Sequence, residues 1–231
     1  MTTIESLSAQ ALLRQFEAGT LSPVEVAEDI LRRIERDNPA INAFCGLYPE
    51  ETLAMARASE ARWLRNAPIG PLDGIPATIK DMLWQKGFPS RRGSLISPLD
   101  AATEDSPSVA RLREAGAVFV GRTTLSEFAW KGTTDSPLTG ITRNPWDTRK
   151  TPGGSSGGAA AAGALNLGVM HLGTDAGGSV RIPASFSGLF GLKPSFGRVP
   201  TYPASAFVVL SHVGPLTRTV HDAALMMSVI A

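Results

Sequence analysis

Two clusters of glycine and serine are the stretches of this chain best suited to chemistry at a carbonyl group. Residues 153–158 read GGSSGG and run directly into alanines, and residues 176–179 read AGGS within GTDAGGSVRIPAS. Glycines before a serine let the backbone take a positive φ and present consecutive N–H groups, the shape that an oxyanion hole requires. Ser179 follows Ser155 by 24 residues, enough for a helix and a strand to return to the same end of a sheet. On this evidence alone, tight turns without chemistry are the simpler explanation of the glycines.

The GGSSGG cluster has three other possible functions. A Walker phosphate loop needs a lysine after its glycines, and none follows here. Residues 154–158 fit the nucleophile-elbow pattern G-x-S-x-G with Ser156 at its centre, but that enzyme class also needs a downstream acid and a histidine. The histidines are His171, His212 and His221, and the first lies in an apolar run typical of a core strand. A flexible linker is excluded because the cluster stands directly at the start of a helix pattern.

The elements that must position these clusters follow an α/β pattern. Residues 77–80 predict a strand, 106–116 a capped helix, 117–121 a second strand, 159–165 an alanine-rich helix and 169–173 a buried strand. Such alternation predicts an α/β fold with a mixed, largely parallel central sheet flanked by helices.

The first 65 residues predict helices that pack on this core. A capping box at residues 22–25 opens one of them, and Asn38-Pro39 is expected to end it. We therefore divide the chain into an N-terminal helical segment, residues 1–65, and an α/β core, residues 66–231. The chain ends on MMSVIA, with neither a helix C-cap residue nor polar residues after the helix. We therefore expect a longer protein whose C-terminal part is missing here.

Composition excludes several classes of function. The chain has 231 residues, 43% of them hydrophobic, and a net charge of +1 with acids and bases interspersed, so nothing favours binding to nucleic acid or an anionic membrane. It lacks a signal-peptide pattern and a run of ~18 apolar residues, which predicts a cytoplasmic protein. The single cysteine, Cys45, allows neither an intramolecular disulfide nor a cysteine metal cluster, and its apolar neighbours predict a buried thiol.

Three longer stretches resemble the amidase signature family of hydrolases: TRNPWDTRKTPGGSSGGAAAA, LGTDAGGSVRIPASFSGLFGLKPSFGRVP and LSHVGPLTRTVHDAALMM. The resemblance covers most of the chain from Pro71 onward, and residues 22–44 are similar to that family's N-terminal helices. It implies a catalytic triad of a lysine, a serine on a cis peptide and a nucleophilic serine. These fall on Lys80, Ser155 and Ser179.

The same resemblance implies further members of the site. Four consecutive backbone N–H groups would form the oxyanion hole, those of Ala176, Gly177, Gly178 and Ser179. Three neighbouring side chains are expected to support this loop rather than to react: Ser156, Asp175 and Arg181. No metal and no organic cofactor are implied.

The reaction implied is hydrolysis of a carboxylic amide to an acid and ammonia or an amine, through an acyl-enzyme on Ser179. A serine hydroxyl needs a base, and Lys80 can act as one if burial favours its neutral form. Ser155 is expected between them, donating to Lys80 and accepting from Ser179. The expected partner is a small-molecule amide, and a homodimer is compatible with the sequence.

The acyl group cannot be read from the sequence, and two alternatives stay open. Phe128, Trp130 and Phe207 are expected to pack in the core rather than to line the acyl pocket. The glutamine-hydrolysing subunit of tRNA-dependent amidotransferases, which takes ammonia from glutamine, carries glutamine after the arginine of its GGSxR stretch. Ile182 stands there in this chain, which favours a stand-alone amidase without a nucleic-acid partner. The other alternative is an inactive chain that needs its missing C-terminal part.

Overall fold

A six-stranded mixed sheet forms the centre of the chain in a computed structural model that describes residues 4–231, without the side chain of Glu5. In chain order the strands are β1 (Phe44–Gly46), β2 (Pro76–Lys80), β3 (Val118–Thr123), β4 (Asp135–Ser136), β5 (Gly140–Ile141), β6 (Met170–Asp175), β7 (Phe190–Gly191) and β8 (His212–Thr217). The central sheet has the order β1-β3-β2-β6-β8-β7, and β4 pairs with β5 separately. Strand β2 is parallel to β3 and β6, while the other three pairs of this sheet are antiparallel. The predicted mixed α/β sheet is confirmed, but it is not largely parallel: two of its five strand pairs are parallel, and these lie at its centre.

Helices flank the sheet as predicted. They are α1 (Ala9–Glu17), α2 (Pro23–Ile41), α3 (Pro49–Trp63), α4 (Pro107–Glu114), α5 (Gly157–Ala164), α6 (Arg181–Ser187) and α7 (Val220–Ile230), with short 3₁₀ turns at Ile4–Ser6, Glu127–Ala129 and Val208–Leu210. One apolar core joins α1, α2, α4 and α7 to the central strands. The N-terminal segment also contributes a strand, because β1 pairs with β3. No helix among residues 4–231 has both the length and the apolarity needed to span a bilayer.

Helix α2 begins as predicted but ends later. Its capping box is formed, with Ser22 Oγ accepting from the Glu25 amide and Glu25 accepting from the Ser22 amide. The prediction that Asn38-Pro39 ends the helix is wrong, since α2 continues to Ile41. Proline lacks only its own N–H, and in the last turn the next residues still close the helix. Asn42 ends it instead, with a left-handed φ of 58° and an N–H that donates to the Asn38 carbonyl.

The parallel centre of the sheet places the two sequence clusters next to Lys80. The carboxyl ends of parallel strands meet at one edge, and this edge carries Lys80 at the end of β2 and Asp175 at the end of β6. Helix α5 reaches the same edge because its first turn is built from small residues. A Cβ on Gly158 would lie 2.4 Å from the hydroxyl of Thr124, so glycine there permits the close approach of α5 to the end of β3.

Cys45 is not a core residue, although its thiol donates to the Arg122 carbonyl over 3.5 Å and burial raises the pKa of that thiol. Cys45 is exposed, and it lines a cavity of about 390 Å³ on the side of β1 opposite to the buried ring of Phe44. Neighbouring side chains of a strand point to opposite faces, so burial of Phe44 turns Cys45 outward. The apolar character of the neighbouring residues did not show which face of the strand Cys45 occupies.

Candidate active site

Lys80 is fully buried at the end of β2 and is surrounded by hydroxyl groups. Its Nζ lies 2.7 Å from Ser155 Oγ, 2.9 Å from Ser156 Oγ and 2.8 Å from Thr174 Oγ1. Three hydroxyl partners suit either protonation state, because a hydroxyl can accept from an ammonium or donate to a neutral amine. Burial lowers the pKa of Lys80 to about 7, although the charge of Asp175 opposes that shift. A lysine with this pKa can hold or release a proton near neutral pH.

The peptide between Gly154 and Ser155 is cis, as the resemblance implied. A Cβ on Gly154 would lie 2.1 Å from the carbonyl oxygen of Thr133, so only glycine fits at that position. Ser155 itself is fully buried and its Oγ accepts from Lys80. The tight fit around Gly154 therefore fixes the hydroxyl of Ser155 against the lysine.

Ser156 joins the two glycine–serine clusters. Its amide donates to the carbonyl of Ser179 over 3.2 Å, and its hydroxyl donates to the carbonyl of Thr174 over 3.2 Å. The same hydroxyl accepts from Lys80 and from the Thr174 amide. Ser156 thus belongs to the polar network around the lysine, as expected for a supporting residue.

Ser179 faces the same cavity as Ser155. Within residues 4–231 its hydroxyl makes no hydrogen bond, so the expected donation from Ser179 to Ser155 is not formed here. Hydrogen bonds of catalytic groups often tighten only once a substrate is bound. A link between the two serines stays a prediction.

Asp175 organises the loop that precedes α6. Its carboxylate accepts from the amides of Gly178, Val180 and Arg181, and from the guanidinium of Arg181 over 2.9 and 3.0 Å. Burial alone would raise the pKa of Asp175, but Arg181 and these amides lower it to about 2. Asp175 is therefore ionised and holds the loop from inside.

The amides of this loop differ in what they contact. The N–H of Gly178 donates to Asp175 over 2.8 Å, whereas those of Ala176, Gly177 and Ser179 make no hydrogen bond to any residue that the structure describes. Gly178 has a φ of 117°, which an L-residue rarely adopts, and this turns the chain sharply before Ser179. Three amides thus stay available for a ligand, and the fourth is shared with Asp175.

The comparison with known families agrees with this geometry. Residues 25–231 match the sequence profile of the family described as Amidase. The chain belongs to the amidase signature family. It is 44% identical over 232 aligned residues to the A-type subunit of the glutamyl-tRNA(Gln) amidotransferase from Chloroflexus aggregans, and the alignment covers 100% of this chain and 48% of that protein. A second relative with this description, from Gloeobacter violaceus, is also 44% identical, over 46% of its length.

Solved structures of amidases share the fold. A crystal structure of an amidase matches with a TM-score of 0.90 and 40% identity over 97% of this chain and 52% of its own. A bacterial aryl acylamidase of the amidase signature family matches with a TM-score of 0.89 and 35% identity over 97% of this chain and 47% of its own. This amidase signature chain therefore spans about half the length of the relatives that it matches.

The cavity of this amidase signature chain has a volume of about 360 Å³ and an aromatic wall made by Phe128, Trp130, Tyr202 and Phe207. The prediction that Phe128, Trp130 and Phe207 pack in the core is wrong. Trp130 is 79% exposed, and its ring stacks on that of Phe207 with centroids 6.0 Å apart. Phe128 and Ala129 have φ angles of 49° and 61°, so the backbone turns away from the core after β3.

Among residues 4–231, no histidine makes a hydrogen bond to Lys80, Ser155, Ser156 or Ser179, although His212 Nδ1 lies 3.2 Å from the backbone carbonyl of Asp175. His171 is buried, with its Nδ1 2.9 Å from Thr78 Oγ1, and burial lowers its pKa to about 3. A nucleophile elbow would need a hydrogen bond between Ser156 and a histidine. Among the described residues, the Ser156 hydroxyl contacts Lys80 and Thr174 instead. Among residues 4–231, no group of three or more His, Cys, Asp or Glu side chains is placed to hold a metal ion.

Thr174 is the contact of Lys80 that sequence reasoning missed. It stands one residue before Asp175 at the end of β6, and its side chain and carbonyl both face the Lys80–Ser156 network. Polar residues at the carboxyl ends of parallel strands commonly line sites. The position of Thr174 at the end of a predicted strand, in the sequence GTD, could therefore have identified it as a candidate site residue.

We predict that Asp175→Asn weakens both the loop and any chemistry that depends on it. An amide presents only one acceptor oxygen, so part of the contacts to the loop amides and Arg181 is lost. The expected cost is about 1.5–3 kcal/mol of unfolding free energy, since these hydrogen bonds involve charged groups. Amide-hydrolysing activity should fall by about 10²-fold, because loss of one oxyanion donor has that size of effect.

Thermal denaturation and kcat/KM for one amide measure the two effects. Asp147→Asn is the matched control, because the Asp147–Arg149 pair lies on the surface. An Asp175→Asn protein with unchanged melting and unchanged activity would contradict the supporting function of Asp175.

Proposed function

We propose that this chain carries the site at which an amidase hydrolyses carboxylic amides through an acyl-enzyme on Ser179. The observation that supports it most is the environment of Lys80. This lysine is fully buried, has hydroxyl partners rather than a carboxylate partner, and lies beside a cavity that holds both Ser155 and Ser179. Such an environment favours a neutral amine that can accept a proton, as serine–lysine hydrolases require.

Acylation would begin with attack of Ser179 Oγ on the amide carbon. The hydroxyl proton passes to Ser155, which passes its own proton to neutral Lys80. The carbonyl oxygen becomes an oxyanion held by the loop amides that Asp175 leaves available, those of Ala176, Gly177 and Ser179. The C–N bond then breaks as Ser155 returns a proton to the leaving nitrogen and recovers one from Lys80.

Deacylation would follow the same route with water in place of the serine. Water attacks the acyl carbon, and its proton passes through Ser155 to Lys80. The carbon–oxygen bond to Ser179 breaks, and the proton returns to the Ser179 oxygen. An acid and ammonia or an amine are the products, and the protein is restored.

Labelling with a fluorophosphonate probe tests the assignment of the nucleophile. Such probes form a covalent phosphonate with an activated serine, and tandem mass spectrometry locates the adduct. Trypsin releases residues 151–181 as one peptide that holds Ser155, Ser156 and Ser179, so fragmentation must separate them. An adduct on Ser179 supports the proposal, one on Ser156 overturns it, and a folded chain without any adduct indicates an incomplete site.

Activity should depend on pH through Lys80. Its pKa is lowered to about 7, so protonated lysine predominates below that value and neutral lysine above it. Only the neutral amine can take the proton, so kcat/KM for a neutral amide should rise tenfold per pH unit below pH 7 and level off above it. Initial rates measured over about two pH units on either side will show this limb. A flat profile, or a rise only near the usual pKa of lysine, would contradict the assignment.

A second candidate is the glutamine-hydrolysing subunit of a tRNA-dependent amidotransferase. The 44% identity to proteins of that description, over the whole of this chain, favours it. Ile182 argues against it, since its side chain packs beside Gly178 where that subunit is expected to carry a glutamine. Ammonia release from L-glutamine and from glutaramate, which has the same carboxylate and amide without the α-ammonium group, distinguishes the two. A marked preference for L-glutamine favours the amidotransferase, and equal or better hydrolysis of glutaramate favours the stand-alone amidase.

A further inference from the structure

Arg92 is a charged residue of the cavity that the proposed chemistry leaves without a task. It lines the same cavity as Ser155 and Ser179 and is partly buried. Among the residues that the structure describes, its guanidinium makes neither a hydrogen bond nor an ion pair; only its backbone is bonded. A partly buried cation without a partner costs free energy that an anionic ligand would recover.

The backbone of Arg92 is held firmly in place. Its N–H donates to the carbonyl and to the carboxylate of Asp81, and its carbonyl accepts from the amide of Phe128 over 2.8 Å. The carboxylate of Asp81 is itself paired with the buried guanidinium of Arg122 over 2.8 Å. Asp81 is therefore occupied by other partners, and the side chain of Arg92 is left for the cavity.

Among the residues that the structure describes, no unpaired acidic side chain lines the cavity with Arg92. Asp175 is the acidic residue among those that line it, and its carboxylate is already bonded to Arg181 and to the loop amides. The other wall is aromatic, with Trp130 and Phe207 stacked on each other. The cavity thus combines an apolar wall with one unpaired positive charge.

We propose that the amides cleaved at this site carry a carboxylate, and that Arg92 binds it. This inference rests on the proposed function of the site. A guanidinium pairs with a carboxylate through two parallel hydrogen bonds, and an apolar wall strengthens such a pair by excluding water. An uncharged amide of the same size leaves the guanidinium unpaired, so the site should discriminate against it. The aromatic wall would hold the carbon skeleton between the carboxylate and the scissile bond.

Matched amides test the proposal on both sides of the scissile bond. Succinamate and butyramide differ only by a carboxylate in place of a methyl group in the acyl part. N-Butyrylglycine and N-ethylbutyramide differ in the same way in the amine part. For each pair, kcat/KM of the carboxylate amide is divided by that of the uncharged amide. The pair with the larger ratio shows which side of the substrate contacts Arg92.

Arg92→Gln should lower kcat/KM for the preferred carboxylate substrate by about 10- to 100-fold, as expected for loss of a charged hydrogen bond. The uncharged member of the pair should change by less than about threefold, since it never engaged the guanidinium. Arg92→Lys should restore part of the loss, because lysine keeps the charge but not the paired geometry. Arg91→Gln is the matched control, because Arg91 lines the cavity around Cys45 instead.

Binding of the carboxylate amides to the Ser179→Ala protein tests this inference independently of the proposed function. Calorimetric titration of that protein, with and without Arg92→Gln, measures affinity for succinamate and N-butyrylglycine in the absence of turnover. Affinity that depends on Arg92 supports the inference even if no amide is hydrolysed, in which case the proposed function alone fails. Equal affinity with and without Arg92, or no selectivity while butyramide is hydrolysed, overturns the inference and leaves the proposed function standing. Circular dichroism and melting curves confirm that each variant is folded.

Discussion

Ser179→Ala should abolish amide hydrolysis, with kcat reduced by about 10⁵- to 10⁶-fold, as loss of a catalytic serine does in other hydrolases. The alanine removes the oxygen that would form the acyl-enzyme, and nothing near it can replace that bond. Ser155 cannot take over, because its hydroxyl is buried against Lys80. Release of ammonia from a simple amide measures the effect.

The fold should survive this substitution. Ser179 Oγ makes no hydrogen bond to another residue among 4–231, and its carbonyl, which accepts from the Ser156 amide, is unaffected. The melting temperature should therefore change little, and the fluorophosphonate adduct should disappear. Ser228→Ala, at an exposed helical position, is the control and should retain both. Persistence of hydrolysis in Ser179→Ala would remove Ser179 from the mechanism.

Lys80→Met should reduce kcat/KM by about 10⁴-fold, the upper range for loss of a general base. Methionine fills nearly the same volume in this fully buried position but has no lone pair on nitrogen to accept a proton. The hydroxyls of Ser155, Ser156 and Thr174 lose their common partner, so the proton from Ser179 has no destination. Labelling of Ser179 by the fluorophosphonate should slow in parallel.

The readout that separates a base from a structural lysine is the pH profile. In Lys80→Met the residual rate should lose the limb with a midpoint near pH 7 that the wild-type protein shows, because that limb reports the lysine. Lys150→Met, at an exposed position, should keep both the rate and the limb. A folded Lys80→Met protein with an unchanged limb would mean that another group titrates.

Some parts of the fold and site followed from local sequence signals. The capping box of α2, the strands that became β2 and β6 and the helix that became α5 are set by residue types within a few positions of each other. The two glycine–serine clusters could be named from their residues, and Lys80 from the resemblance to the amidase signature family. The structure places Lys80 against Ser155 and Ser156, and it places Ser155 and Ser179 on one cavity.

Other parts depended on contacts between distant segments. Asn42, rather than Asn38-Pro39, ends α2 because its amide closes the last turn in a left-handed conformation. Phe128 and Trp130 were expected in the core, but positive φ angles at Phe128 and Ala129 turn the chain away from it, and Trp130 stacks on Phe207 at the cavity. Hydrophobicity predicts that such rings avoid water, but it does not predict which cavity receives them.

What the sequence by itself determined was the chemistry available: a lysine at a strand end, two serine clusters of the right spacing and an α/β pattern that could bring them together. Only the tertiary structure decided the state of those groups. Complete burial lowers the pKa of Lys80 and makes it a candidate base. The hydrogen bonds that the Asp175 carboxylate accepts leave three of the four loop amides free. The pairing of Asp81 with Arg122 leaves the Arg92 guanidinium without a partner among the described residues. Protonation and charge pairing depend on solvent exclusion and on neighbours far away in the chain, which local residue patterns do not specify.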